Sequence, residues 1–258
     1  DLFRFPHDVV IWNKRICASN LNFKKKSYKK LEPMDDEIYI GNDVKIEKNV
    51  VFDTEEGPII LDEGCEIAPF SYIRGPVFIG KKSKTIDHSS IKDNVVVGDV
   101  CRVGGEIEES IISGHSNKKH HGFIGNSFIG SWVNLGAGTT NSDLKNTYGS
   151  IKIIDGEGKE RKTDEQFLGC VIADFSKAAI NTSIFTGKVI GVNSFIFGNV
   201  VDNVPSFTNY FKGIGQKNSK FILQKAIDLQ KRVFERRGVE QEKCDISILE
   251  QAHEMSQK

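Results

Sequence analysis

A six-residue beat constrains this chain more than any other feature. Ile40, Ile46 and Phe52 fall six apart, as do Leu61, Ile67, Ile73, Ile79, Thr85, Ile91, Val97 and Val103. The beat returns at Ile129 and Leu135, then at Ile172, Ala178, Ile184, Ile190 and Ile196. Four places after a beat sits a small or β-branched residue, as at Val44, Cys65, Ser71, Ser83, Ser89, Val95 and Cys101. A helix repeats at about 3.6 residues and a free strand at every second residue, so neither demands this period. A solenoid of short strands joined by turns does. Beat residues would fill the interior at each face, and the small residues would point inward where the coil is tight. Gly follows several beats directly (Gly41, Gly80, Gly98, Gly130, Gly136, Gly191) and is expected to supply positive-φ turns.

The beat lapses twice. Residues 104–122 are polar and His-rich. Residues 141–169 hold an alternating Ser150-Ile151-Lys152-Ile153 stretch and a hairpin-like Asp155-Gly156-Glu157-Gly158. Both lapses are expected to leave the wall as loops, which often form binding faces. Ahead of the repeats, Phe3 to Trp12 is aromatic and reads as a packed lead-in, and residues 19–36 read as a linker. Behind them, Phe221, Ile222, Ala226, Leu229 and Val233 fall at helical spacing between Ser219 and Arg237, closed by Gly238. A second helix is expected from about Asp245 to Met255. These helices read as a cap on the open solenoid end. The chain thus divides into 1–36, 37–211 and 212–258.

Lys plus Arg and Asp plus Glu total 35 each. Such a neutral chain lacks the clustered positive charge that general nucleic-acid or anionic-membrane binding needs. The run Lys24-Lys25-Lys26 with Lys29-Lys30 reads as a solvated linker. Cys17, Cys65, Cys101, Cys170 and Cys244 are odd in number and include no CxxC, and Cys65 and Cys101 occupy small-residue slots of the beat. Core thiols suit a reducing, cytoplasmic setting. No apolar run approaches the roughly 20 residues of a membrane span. The chain begins at Asp1 without Met and reads as a fragment or a trimmed chain.

The chemistry-bearing segment runs Asn117-Lys118-Lys119-His120-His121-Gly122-Phe123-Ile124-Gly125, then Asn134-Leu135-Gly136-Ala137-Gly138-Thr139. With the beat, it resembles the hexapeptide-repeat, left-handed parallel β-helix family, and within it the acetyltransferase half of GlmU. Pro69-Phe70-Ser71-Tyr72-Ile73-Arg74 resembles that family's sugar-phosphate segment. Phe5-Pro6-His7-Asp8, Glu106 to Ile112, Trp132 to Gly149 and Lys225 to Arg237 resemble a GlmU-like branch of sugar nucleotidyltransferases. The resemblance implies an all-β solenoid, usually a homotrimer with sites between subunits. It implies acetyl-CoA as co-substrate and a small-molecule amino-sugar phosphate, akin to glucosamine-1-phosphate, as acceptor. No metal is required for acyl transfer. A nucleotidyltransferase half needs a Gly-rich loop that this sequence lacks, so that activity would belong to a missing N-terminal domain.

The resemblance makes His120 the general base, with His121 its rival. Asn134 would orient the amine or the imidazole. A backbone N–H at Gly136-Ala137-Gly138, foremost Ala137, would hold the oxyanion. An imidazole with pKa near 6.5 can take an amine's proton at neutral pH, typically worth about 10²–10⁴-fold. Arg74, Lys118, Lys119 and Phe123 would contact the sugar phosphate. Gly136, Asn141, Lys145 and Lys177 would contact CoA. Local sequence alone leaves plainer readings open: exposed inert histidines, a wall-stacking Asn134, a surface Arg74 and a tight Gly-Ala-Gly corner.

Three departures bear on the substrate. Glu108 stands where the family carries a phosphate-binding Lys, Phe123 where it carries Tyr, and Phe175 where the branch carries His. Two other readings compete with the acyltransferase. One is a non-catalytic trimerisation or regulatory β-helix module of a nucleotidyltransferase. The other is a γ-carbonic-anhydrase-like zinc hydratase using His115, His120 and His88.

Overall fold

A computed structural model describes residues 3–27, 31–155 and 158–257. Lys29-Lys30 of the basic run and Gly156-Glu157 of the expected hairpin turn lie outside the described residues. The expected solenoid is the observed architecture. Short strands stack in parallel, in register, on three faces. The first face carries Ile38–Ile40, Ile59–Leu61, Val77–Ile79, Val95–Val97, Ile111–Ile112, Phe128–Ile129, Cys170–Ile172 and Lys188–Ile190. The second runs from Lys45–Ile46 through Asn117–Lys118 and Asn134–Leu135 to Thr208–Tyr210. The third comprises five strands from Val51–Asp53 to Phe123–Gly125 and three more from Thr140–Asn141 to Asn199–Val200.

Registered pairing places like residues in columns. On the third face Phe52, Ile73, Ile91, Ile107 and Ile124 align; on the second, Ile67, Thr85 and Val103 lead to Lys118 and Leu135. The apolar ones belong to one continuous core with Cys65 and Cys101, Phe52 packing at its edge, and Thr85 and Lys118 are buried as well. Each buried Leu or Ile side chain stabilises the fold by about 1.5–3 kcal/mol relative to exposure.

The first lapse is not a loop. Glu106–Glu108, Ile111–Ile112 and Asn117–Lys118 all pair with neighbouring coils. The inward residues Val103, Ile107, Ile112, Lys118, Ile124 and Ile129 continue the column with spacings of four, five, six, six and five. The beat fails in sequence because turns shorten and because Lys118 takes a hydrophobe's slot. The second lapse is a real excursion. A hairpin of Lys152–Ile154 and Glu160–Lys162 leaves the wall. Its Ile151 and Ile153 pack with Leu168 and Val10.

The corner glycines also differ from expectation. Gly41, Gly80, Gly98, Gly130, Gly136 and Gly191 are not among the positive-φ residues. They are small because coils approach closely there: a Cβ on Gly80 would lie 2.6 Å from the Gly98 carbonyl carbon. The left-handed positions between the first and second faces are Asp43, Gly64, Lys82, Val100, His115, Trp132, Phe175, Asn193 and Phe207. For most non-glycine residues this costs roughly 1–2 kcal/mol each, so coil stacking must impose it. The Trp132 N–H donates to Gly114 O, and the Phe175 N–H to Ser131 O.

Helix α1 (Asp8–Ser27) continues through the first part of the expected linker. Its Cys17 and Leu21 pack on Ile60, with Tyr39, Phe78 and Val96 alongside, so it covers the outside of the first face. Helices α2 (Leu223–Glu235) and α3 (Lys243–Met255) fall where the periodicity placed them. Ala226 and Leu249 pack on Phe207, while Phe234 further along α2 meets Trp132 and Phe175. Helix α2 therefore does more than close an end: it follows the aromatic corner back along the stack. Phe234→Ala should cost about 3–5 kcal/mol. Amide exchange should show α2 losing protection while the first-face strands keep theirs; loss spread evenly along the coils would contradict this account.

Candidate active site

The Lys119-His120-His121-Gly122 turn joins the second and third faces. Beneath it lies Lys118, only 1% exposed. Its Nζ donates to Gly104 O at 3.0 Å and to His120 O at 2.5 Å. Burial lowers the Lys118 pKa to about 8. This ammonium fixes the turn from inside and does not face a ligand.

A cleft of about 500 Å³ opens beside that turn, lined by Lys119, His120, Asn134, Leu135, Gly136, Ala137 and Ile180, with Arg102, Asn117, Arg236 and Arg237. His120 lines it; His121 does not. One coil on, the Gly136 N–H donates to Ala178 O and the Gly138 N–H to His121 O. The Ala137 N–H has no acceptor among the described residues. Gly136 is required by packing, since a Cβ there would sit 2.7 Å from Ala179 C and Ile180 N. The cleft thus joins an imidazole, a carboxamide and one uncommitted N–H donor, the components for removing a proton and holding a developing oxyanion.

Asn117 links the solenoid to α2: Arg237 Nη2 donates to Asn117 Oδ1 at 2.8 Å, and Asn117 Nδ2 approaches Asn134 Oδ1 at 3.4 Å. Burial first, then the like charges of Arg102 and Arg236, lowers the Arg237 pKa. An adjoining cleft of about 210 Å³ adds His115, Trp132, Lys177 and Val233. His115 stacks on Trp132 with centroids 4.1 Å apart. Burial, followed by Arg237, lowers its pKa.

Other expected site residues are committed elsewhere. Arg74 makes a two-pronged contact with Asp93, with Nε 2.8 Å from Oδ1. It lines a separate recess with Glu56 and Glu109. Glu108 pairs with Lys92 at 3.4 Å. Phe123 lies over Gly125 on the third face, outside the His120 cleft. Asn141 is buried; Oδ1 accepts from the Gly125 N–H and Nδ2 donates to Gly125 O, both at 2.9 Å. Its amide replaces ladder bonds just before the chain leaves the wall. Lys145 donates to Ser150 O and, with Asn141, lines another cleft of about 530 Å³. Lys177 ties Trp132 O and Phe175 O together; burial lowers its pKa to about 8. The zinc reading loses its ligand set. His88 stacks on Phe70 and His115 on Trp132, and no three His, Cys, Asp or Glu side chains gather as metal ligands among the described residues.

Sequence reading missed Arg102, Arg236 and Arg237. Arg102 could have been found: it precedes an inward beat and shares an outward column with Asn117 and Asn134. Nothing local predicts that the end of α2 returns to that column.

The fold is a parallel β-solenoid of hexapeptide repeats, with the His120 cleft beside one turn. Sequence comparison agrees. The chain is 33% identical over 161 residues to the bifunctional protein GlmU of Methanococcus aeolicus, covering 62% of this chain and 38% of that protein. It is 30% identical over 182 residues to a bifunctional sugar-1-phosphate nucleotidylyltransferase/acetyltransferase of Sulfurisphaera tokodaii, covering 69% and 44% respectively. The chain spans less than half the length of these curated relatives. No family model matches it. A hexapeptide transferase family protein from Anaplasma phagocytophilum covers 84% of this chain at 13% identity and a TM-score of 0.33, too loose a likeness to carry more. The chain is thus similar to part of each of these two relatives.

The buried Lys118 supplies a pH test. Its depressed pKa means that the unfolded chain holds the extra proton above about pH 8. Its contribution to stability therefore rises with pH from about 8 toward the ordinary lysine range, by up to about 3 kcal/mol. Urea unfolding of wild type and Lys118→Met from about pH 7 to 10 should show wild-type stability gaining on the variant. A pH-independent difference would refute a charged, desolvated Lys118.

Proposed function

We propose that this chain is the acyltransferase part of a protein of the sugar-nucleotidyltransferase type, moving an acetyl group from acetyl-CoA to the amine of an amino-sugar phosphate. The observation that carries the reading is that His120, Asn134 and the uncommitted Ala137 N–H share one cleft. The His120 imidazole takes a proton from the sugar amine as its nitrogen attacks the thioester carbonyl. The tetrahedral oxyanion receives the Ala137 N–H. Collapse breaks the carbon–sulfur bond, and the departing thiolate takes the proton back from the imidazolium. Asn134 orients the amine. The name of the Sulfurisphaera tokodaii relative supports both the acetyl transfer and the sugar-1-phosphate class. Acetyl-CoA, a homotrimer and a cytoplasmic setting belong to this reading. No helix among the described residues is long and apolar enough to cross a membrane.

The commitments of Arg74, Glu108 and Lys118 favour a second reading, a non-catalytic β-helix module. Thiol release from acetyl-CoA over a panel of amino-sugar phosphates separates the two. His120→Ala should lower kcat about 10²–10⁴-fold, and His121→Ala should stay near wild type. Wild-type turnover that survives His120→Ala would remove the proposed base; no turnover with any acceptor would favour the module.

A further inference from the structure

The side chains that the resemblance assigned to phosphate are largely spent. Arg74 is held by Asp93, Lys118 is buried against carbonyls, and Glu108 has replaced a cation and pairs with Lys92. Positive charge has instead collected around the His120 cleft, where Arg102, Lys119, Arg236 and Arg237 converge and no Asp or Glu lines the wall. The side-chain hydrogen bonds of these cations go to neutral acceptors: Arg102 to Lys82 O and Cys101 O, Arg237 to Asn117 Oδ1. Glu66, the carboxylate that feels the Arg102 charge, is itself paired with Lys84 at 2.5 Å. The negative end of the α2 dipole favours cations at Arg236 and Arg237. It does not remove their mutual repulsion: after burial, the charges of Arg102 and Arg236 are what lower the Arg237 pKa. A bound anion would relieve that repulsion. Guanidinium groups are suited to gripping phosphate oxygens in pairs.

We propose that Arg102, Lys119, Arg236 and Arg237 form a seat for a phosphate monoester or diphosphate on the ligand that reaches His120. The assignment rests on the reading of that cleft as a ligand site. It moves the anion grip from the third face to the junction of the second face with α2. The Arg237–Asn117–Asn134 contacts then connect the seat to the reacting end, so that anion binding helps to position Asn134. The same phosphate chemistry belongs to an amino-sugar phosphate and to the nucleotide end of CoA.

Titration calorimetry of the full chain with inorganic pyrophosphate at low salt tests the seat. Wild type should bind. Arg236→Gln and Arg237→Gln should each weaken binding about tenfold, the effect of losing one charge-assisted contact of about 1.4 kcal/mol. Arg236 is exposed and makes no side-chain hydrogen bond among the described residues, so its variant should keep the wild-type melting profile. Lys231→Gln, on α2 but outside the cleft, should bind as wild type. Absence of pyrophosphate binding, or wild-type affinity in both arginine variants, would overturn the seat. Competition by glucosamine-1-phosphate or by adenosine 3′,5′-bisphosphate, each repeated with Arg237→Gln, identifies the source of the phosphate. His120→Ala should bind pyrophosphate as wild type does. Arginine-dependent binding without acyl transfer would keep the seat and remove the catalytic reading; transfer without such binding would do the reverse.

Discussion

Each coil of this protein obtains its backbone hydrogen bonds from the coils on either side. Strands of two or three residues cannot satisfy themselves, and buried unpaired amide groups are costly. Stacking therefore dictates the register, and register dictates which side chains point inward. It also holds His115, Trp132, Phe175 and Phe207 in a left-handed conformation that such residues would otherwise avoid. Where the ladder is interrupted, side chains substitute for it. Asn141 does so toward Gly125, and Lys118 and Lys177 bridge carbonyls at the turns.

Much of this was legible in the sequence because the beat is the direct imprint of the inward columns. It gave the solenoid and the main core residues, while helical spacing beyond it gave the first C-terminal helix. It misled at Gly104–Gly122, because a six-residue count cannot distinguish a shortened turn from a departing loop. The resemblance, in turn, implied ligand contacts for Lys118 and Asn141. Both are polar residues in buried slots, and only the coordinates show their polar atoms turned onto backbone groups. The placement of His120, Asn134, Gly136 and Ala137 around one cleft follows from the spacing of their motif. Arg236 and Arg237 could not be gathered this way, because they lie nearly a hundred residues beyond the motif and arrive by tertiary packing.

The two sides of the solenoid differ in how their charges are used. On the third face, cations are matched coil by coil: Arg74 with Asp93, and Lys92 with Glu106 and Glu108. Beside α2 the cations gather without carboxylates in the cleft wall. Part-exposed pairs of the first kind contribute little to stability, typically below about 1 kcal/mol, but they neutralise their surface. The cleft that holds His120 thus keeps four cations with no carboxylate in its lining.

The path of α2 has a mechanical consequence. A bare solenoid couples each repeat only to its neighbours, so its ends can unravel one coil at a time. Phe234 touches Trp132 and Phe175, while Ala226 from the same helix packs with Phe207, three coils beyond Trp132 in the corner ladder. This strut spans several rungs at once. Peeling away the last coil must also strip the helix from coils that are still intact, so the C-terminal portion behaves as a cooperative block instead of a fraying stack.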